Sequence, residues 1–227
     1  MAGTRRLSVT LSYAQSLDGS IAARAGQPLA LSGQESLAFT HRLRARHDAI
    51  LVGIGTVLAD DPRLNVRLAE GRDPRPVVVD SLLRTPPAAR LFRDGAARPI
   101  IAAVEAAPAA AERALAGAGA EVWRLPARPS ETGAPLVDLE RLLGRLAGLG
   151  VGSVMVEGGA RIIAAFLRGR LADRVAITVC PRFVGGLSPA AGLAALGGAG
   201  LPRLRKPAWE LAGDDMIVSG ELEWPPA

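Results

Sequence analysis

The sequence predicts an α/β domain on a mostly parallel mixed sheet that ends in antiparallel strands, and three observations carry that prediction. Short apolar runs bounded by glycine, proline or polar residues alternate with helix-like segments throughout the chain. Two of the runs end alike: residues 49–52 meet Gly53 and Gly55, and residues 151–156 meet Glu157-Gly158-Gly159. Buried strands that stop in glycine and then gather polar groups are how open α/β sheets place a ligand at their edge. Last, residues 208–211 and 216–222 form a pair of strands across Gly213-Asp214-Asp215. With 227 residues and neither repeat nor linker, the chain reads as a single domain over residues 1–227.

The elements follow in order. Residues 7–14 alternate loosely as a first strand, Asp18-Gly19 closes a turn, and residues 20–23 continue as a short strand. Ser32, with Glu35 three residues on, has the spacing of a capping box; the helix after it runs to about Arg46 with Phe39 and Leu43 on one face. Residues 49–52 are a strand, and residues 56–58 begin a short helix or turn. Residues 76–80 (PVVVD) and 99–104 are continuous apolar runs of the kind that make buried strands. Residues 109–116 are an alanine-rich helix, 121–125 a strand, and 126–135 a proline-rich loop. Asp138 caps a helix whose Leu139, Leu142, Leu143, Leu146 and Leu149 recur at helical spacing and which Gly150 stops. Residues 151–156 are a strand, and residues 160–169 a helix with Ile162, Ile163, Phe166 and Leu167 inward. Residues 187–207, rich in glycine, alanine and proline, show no clear element.

Composition narrows the class. A hydrophobic fraction of 49% supports a real core, yet no apolar run approaches a membrane span, and the N-terminus lacks the apolar segment of a signal peptide. The expectation is a soluble, cytoplasmic protein without a membrane partner. Cys180 is the single cysteine, which excludes an intrachain disulfide and a cysteine zinc site; it reads as a small buried strand residue. His41 and His47 lack metal-ligand spacing and read as structural, so no metal is expected. The net charge of +5 comes from arginine almost alone, Lys206 being the one lysine. No basic run interleaves with aromatics, so nucleic acid is not the expected partner. Arginine's fixed fork of donors suits small phosphorylated molecules instead.

Four groups of residues could carry chemistry. Gly53-x-Gly55-Thr56 follows a strand and could present N–H groups to phosphate, or make an ordinary turn. Glu157-Gly158-Gly159, with Ala160 opening a helix, could hold a pyrophosphate at the helix N-terminus, with Glu157 either meeting a ligand or capping the helix. Asp80-Ser81 with Arg84 could hold a phosphate monoester such as an adenosine 2′-phosphate, or be a turn serine and a surface arginine. Of the adjacent Asp60 and Asp61, one at most faces a ligand while the other takes turn N–H groups. Neither a GxGxxG fingerprint, a Walker A loop nor a G-x-S-x-G elbow is present.

Together the segments SYAQSLDGSIA (residues 12–22), LSG (31–33), HDAILVGIGTVLADDPRLNVR (47–67), PRPVVVDSLLRTP (74–86), VEGG (156–159) and PRFVGG (181–186) resemble the riboflavin-biosynthesis reductase domain. The resemblance covers nearly the whole chain in order; residues 85–150 match by pattern only. It implies the three-layer dihydrofolate-reductase-like fold. The implied activity is hydride transfer from NADPH to C1′ of a phosphoribosylamino-pyrimidine in its open-chain imine form, which turns ribosyl into ribityl. By motif position Thr56, Asp60, Ser81, Gly158 and Gly159 correspond to cofactor contacts, and Gly55, Arg84 and Ala160 join them from the local reading. Arg44, Leu64, Arg67 and Glu157 correspond to substrate contacts, with Asn65 between them. The deaminase often fused to this domain needs H-x-E and P-C-x-x-C, which this chain lacks, so it is similar to the stand-alone reductases or an unfused bacterial copy. Fused bacterial enzymes tend to carry a lysine where this chain has Ser12. If that lysine donates the proton, a water or a nearby carboxylate replaces it here, or the imine is protonated in solution; Glu157 and Asp60 are the catalytic candidates. The resemblance also implies a homodimer. Two other readings are a reductase of the same fold acting on a pterin, which should dispense with Arg44 and Arg67, and a non-catalytic nucleotide-binding protein, which should have lost Glu157 or its glycines.

Overall fold

A computed structural model describes residues 7–93, 97–130, 133–190, 193 and 200–226. Its centre is a nine-stranded sheet. In chain order the strands are β1 (Ser8–Ser16), β2 (Ala49–Gly53), β3 (Arg75–Val79), β4 (Ile100–Val104), β5 (Glu121–Leu125), β8 (Ser153–Val156), β9 (Arg174–Cys180), β10 (Arg203–Ala212) and β11 (Asp215–Glu223). A separate two-stranded pair, β6 (Ala127–Arg128) and β7 (Leu136–Val137), lies between β5 and β8 in the chain. The spatial order is β10-β11-β9-β1-β8-β2-β3-β4-β5, parallel from β9 to β5 and antiparallel across β9, β11 and β10.

Strands β2 and β4 are buried at all five of their residues. A strand buried on both faces needs cover on both, which a three-layer arrangement supplies. The connecting helices are α1 (Gln34–Arg44), α2 (Ile54–Asp60), α3 (Ala109–Gly117), α4 (Leu139–Gly148) and α5 (Ala160–Arg168). Helix α5 points Ile163, Phe166 and Leu167 into the core, as its spacing predicts. In α4 Asp138 caps as expected, accepting the Arg141 N–H at 3.1 Å, and Leu142 and Leu146 are fully buried. Leu149, expected on that stripe, is exposed, because the helix ends at Gly148 and Gly150 turns the chain with φ +81°.

Other expectations need correction. The N-cap of α1 is Gly33, not Ser32, and the helix ends at Arg44. Its cap comes from the far end of the chain: Asp215 accepts the Gly33 N–H at 2.7 Å and the Ser36 hydroxyl at 2.5 Å. The buried residues of α1 are Ser36 and His41, while Phe39 and Leu43 are only partly covered. Residues 20–23 form no strand beyond a single bridge from Ala22 to Leu187. The proline-rich loop carries the small β6–β7 pair. The closing hairpin is longer than expected and starts inside the segment that showed no element. The reason is a bulge between Arg205 and Ala208, where Lys206 adopts φ +50° and Pro207 cannot donate to the ladder. Cys180 is buried as predicted; burial, and then a hydrogen bond to Asp215, push its thiol up to about 12.

The parallel register brings one sheet edge into focus. Val156 pairs with Leu51, and Gly53 with Val79. Glu157, Gly53 and Asp80 therefore leave three adjacent strands at nearly one level.

Candidate functional site at the strand ends

Two glycine turns meet at this edge, and sequence explains why. A Cβ on Gly53 would lie 2.6 Å from Cγ1 of Ile162, and one on Gly158 3.0 Å from two Ile162 carbons, so glycine lets α5 seat against the end of β2. Thr56 locks the two turns together by accepting the Gly159 N–H on Oγ1 at 3.1 Å. Gly55 is different: a Cβ there would meet nothing within 4 Å, so its missing side chain leaves the surface open beside α5. No side chain of its own N-cap covers the start of α5, where Ala160 sits.

Behind these turns lies a largely covered ion pair. Arg44, the last residue of α1, donates from Nε to Oε1 of Glu157 at 2.7 Å and from Nη2 to Oε2 at 2.6 Å. The two side chains are 12% and 16% exposed. Burial works against the Arg44 charge, but the adjoining Glu157 more than offsets it, and the net shift of Arg44 is upward. Glu157 is also fixed through its backbone, whose N–H reaches Leu51 O at 2.9 Å. With both oxygens clasped, Glu157 keeps a second lone pair on each for a ligand's N–H or O–H.

The loop after α2 completes this side. Asp61 adopts the left-handed conformation (φ 41°) and accepts the Arg90 N–H on Oδ1 at 2.9 Å, which leaves Asp60 as the member of the pair free to face a ligand. Partial desolvation raises the Asp60 carboxyl above its usual range. Leu64 is buried with φ +56°. Arg44 Nη1 donates to Asn65 O at 2.9 Å, and Asp73 accepts the Val66 N–H at 2.7 Å. The Arg67 N–H reaches Nδ1 of His41 at 3.1 Å. The Arg67 side chain is exposed, with a long contact of 3.4 Å from Nη1 to Asn65 Oδ1. Its partial burial, and then the charges of Arg44, Arg63 and Arg90, press its ionisation down, with Glu157 opposing. Surplus positive charge gathered around one guanidinium is the setting for an anion.

At the end of β3, buried Asp80 accepts the Thr85 N–H at 2.7 Å and its hydroxyl at 2.8 Å on Oδ2. That folds residues 80–85 tightly, with Leu83 at φ +56°. Arg84 Nε is 3.6 Å from Asp80 Oδ1 and its side chain is 55% exposed, so it stands at the edge beside Ser81.

Sequence reasoning assigned no role to several residues that organise this edge. Asp18 accepts four hydrogen bonds, from the hydroxyls of Ser16 (2.6 Å) and Ser20 (2.7 Å) and the N–H groups of Val184 (2.9 Å) and Gly185 (2.8 Å). These bonds, the Ser16 hydroxyl foremost, hold its carboxyl well below the usual range. The SLDGS and PRFVGG segments are thereby one latched unit. A Cβ on Gly186 would lie 2.1 Å from Ala22 O, so the close approach requires glycine. His47 is structural as expected: Nδ1 donates to Leu43 O at 2.7 Å, and Nε2 accepts from the Thr10 hydroxyl at 3.0 Å. His41 was also read as structural, yet it touches the backbone of Arg67; its spacing of three from Arg44 was the available signal. Among the described residues no group of histidine, cysteine and carboxylate side chains could hold a metal.

Comparison with known proteins identifies the family. The profile of the RibD C-terminal domain matches residues 7–218. The 2,5-diamino-6-ribosylamino-4(3H)-pyrimidinone 5′-phosphate reductase of Methanothermobacter thermautotrophicus is 44% identical over 181 residues, covering 78% of this chain and 79% of that protein. The riboflavin biosynthesis reductase Rib7 of Saccharomyces cerevisiae superposes with a TM-score of 0.74 at 28% identity, over 98% of this chain and 93% of that one. A dihydrofolate reductase from Enterococcus faecalis, complexed with NADP(H), shares the fold with a TM-score of 0.52 at 13% identity, over 94% and 96%. The fold is therefore dihydrofolate-reductase-like, as the sequence led one to expect, and the chain belongs to the RibD C-terminal domain family.

Proposed function

We propose that this chain is an NADPH-dependent reductase of riboflavin biosynthesis that converts the ribosyl group of a phosphoribosylamino-pyrimidine to ribityl, within one reductase domain. The observation that carries the reading is the largely covered Arg44–Glu157 clasp, with exposed Arg67 on the adjoining loop. It offers a hydrogen-bonding carboxylate next to an unneutralised guanidinium, as a heterocycle joined to a sugar phosphate requires. The name carried by the archaeal relative supports the same substrate class.

We divide the labour among the residues of the site. Three of the five donors of Arg44 serve Glu157 and Asn65, so Arg44 orients, and the substrate's phosphate falls to Arg67. Glu157 and Asn65 then flank the polar groups of the substrate, and Leu64 shapes the loop between them. The residues at the two glycine turns fit a nicotinamide dinucleotide: Gly55 leaves open surface, and Gly158, Gly159 and Ala160 lead into a helix start whose N-cap brings no side chain and which suits a pyrophosphate. Ser81 and Arg84 would meet its 2′-phosphate, and Thr56 holds the turns in place. When bound, NADPH supplies a hydride for C1′; the protein supplies orientation and charge. Asp60, exposed on the turn that ends α2 with its carboxyl raised by partial desolvation, is the group we assign to pass the proton.

No helix among the described residues is long and apolar enough to cross a membrane. We place the enzyme in the cytoplasm, acting on a small molecule rather than nucleic acid. The edge strand β10 exposes Trp209 (64%) and Leu211 (80%), which supports a homodimer closed over that edge. The test is anaerobic NADPH oxidation with the diamino-pyrimidinone phosphate, its deaminated uracil counterpart and dihydrofolate. Turnover of one ribosylamino phosphate is expected; turnover of dihydrofolate alone overturns the assignment.

A further inference from the structure

We propose that His41 is a positioning residue: by accepting the backbone N–H of Arg67 on Nδ1, it aims the Arg67 guanidinium at the substrate's phosphate. The inference rests on the function proposed above and concerns a residue outside the expected contacts. His41 lies three residues before Arg44 on α1, so both side chains leave one helix face. Together they grip one loop at two backbone points. Arg44 donates to Asn65 O at 2.9 Å, and His41 accepts from Arg67 N–H at 3.1 Å. Between those points Asp73 accepts the Val66 N–H at 2.7 Å. The loop opens on Leu64 at φ +56°, a left-handed conformation that a non-glycine residue keeps only where its surroundings over-determine it.

The chemistry explains why a histidine stands here. A backbone amide can only donate, so Nδ1 must carry a lone pair and the ring proton must sit on Nε2. His41 is buried. Its burial, and then the charges of Arg44 and Arg67 against an opposing Asp73, lower its pKa to about 4, so the acceptor is in place at neutral pH. An aspartate could accept the same N–H, but its charge would neutralise the arginines that face the anion. A neutral acceptor fixes the loop and leaves the positive field intact.

The test compares His41→Leu, His41→Asn and His41→Asp with wild type. One readout is KM for the ribosylamino phosphate against KM for NADPH. The other is the Kd of ribose 5-phosphate by titration calorimetry, which needs no turnover. His41→Leu is expected to raise the substrate KM and the ribose 5-phosphate Kd about tenfold, with KM for NADPH within about twofold of wild type. His41→Asn, which restores a neutral acceptor, should recover most of the loss; His41→Asp should not. If wild type fails to turn over the substrate but the Kd pattern appears, the proposed function falls and the positioning role stands. If wild type turns over and His41→Leu changes neither quantity, or binds ribose 5-phosphate as well as His41→Asn does, the positioning role falls. Should His41→Leu not fold, equal Kd values for His41→Asn and His41→Asp would overturn it.

Discussion

The hydroxyl of Thr56 receives the N–H of Gly159 at 3.1 Å, joining two glycine turns that lie 103 residues apart in the chain. One turn follows β2 and the other precedes α5, so this single bond sets the spacing of the surface assigned to the cofactor. Thr56→Val keeps the shape and removes the acceptor. It should cost about 1 kcal/mol in urea unfolding and raise KM for NADPH more than KM for the substrate. An unchanged KM for NADPH would detach this bond from the cofactor surface.

The Arg44–Glu157 clasp should behave as a buried pair. Arg44→Met alone leaves a carboxylate without its partner and should cost about 3 kcal/mol in chemical denaturation. Arg44→Lys should rescue poorly, because an ammonium cannot reproduce the two-point fork. Arg44→Met combined with Glu157→Leu should regain most of the stability but no activity. Recovery of activity in that double variant would show that Glu157 is only structural.

Arg67→Ala removes the exposed guanidinium without touching the clasp. KM for the phosphorylated substrate should rise about a hundredfold, with KM for NADPH nearly unchanged and the far-ultraviolet spectrum intact. Equal rises in both KM values would move Arg67 to the cofactor side. Replacing Ser81 and Arg84 together should lower the preference for NADPH over NADH, read as the ratio of kcat/KM for the two cofactors.

Acid should loosen the fold through the histidines. The folded pKa of His41 is depressed to about 4 from 6.5, and that of His47 is shifted the same way. Between those pH values the unfolded chain binds more protons than the folded one, so stability is full above about pH 6.5 and falls as pH drops toward 4. Asp60, raised in the folded state, acts with the opposite sign but is largely solvated and contributes less. Thermal melts from pH 7 to pH 4 should show the decline, and His41→Asn, which cannot titrate, should show a shallower one.

The strand order and the site were legible to different degrees. Buried parallel strands announce themselves as apolar runs, so β2, β3, β4 and β8 could be placed by inspection. The glycine turns and the paired aspartates pointed to one sheet edge, and motif order supplied Arg44 and Glu157. What pattern could not show is that these two clasp each other, because 113 positions separate them and neither has a local signature. The cap of α1 escaped for a related reason: Ser32 has the right chemistry nearby, but a carboxylate from β11 outcompetes it. The start of β10 was hidden by its own bulge, where Pro207 and the left-handed Lys206 look like loop. His41 looked inert because its partner, the Arg67 backbone, lies 26 positions away, and its spacing of three from Arg44 was the one local hint.

That distant cap has a consequence for how the enzyme comes into being. Helix α1 carries both His41 and Arg44, yet the carboxylate that seats its N-terminus, Asp215, lies 182 positions after Gly33 and is made that much later. During translation the helix can form on the nascent sheet, but its first turn stays unanchored until the closing hairpin arrives. Completion of the substrate side thereby waits for β11. A chain truncated before β11 would keep every residue assigned to the site and still lack the register that brings them to bear.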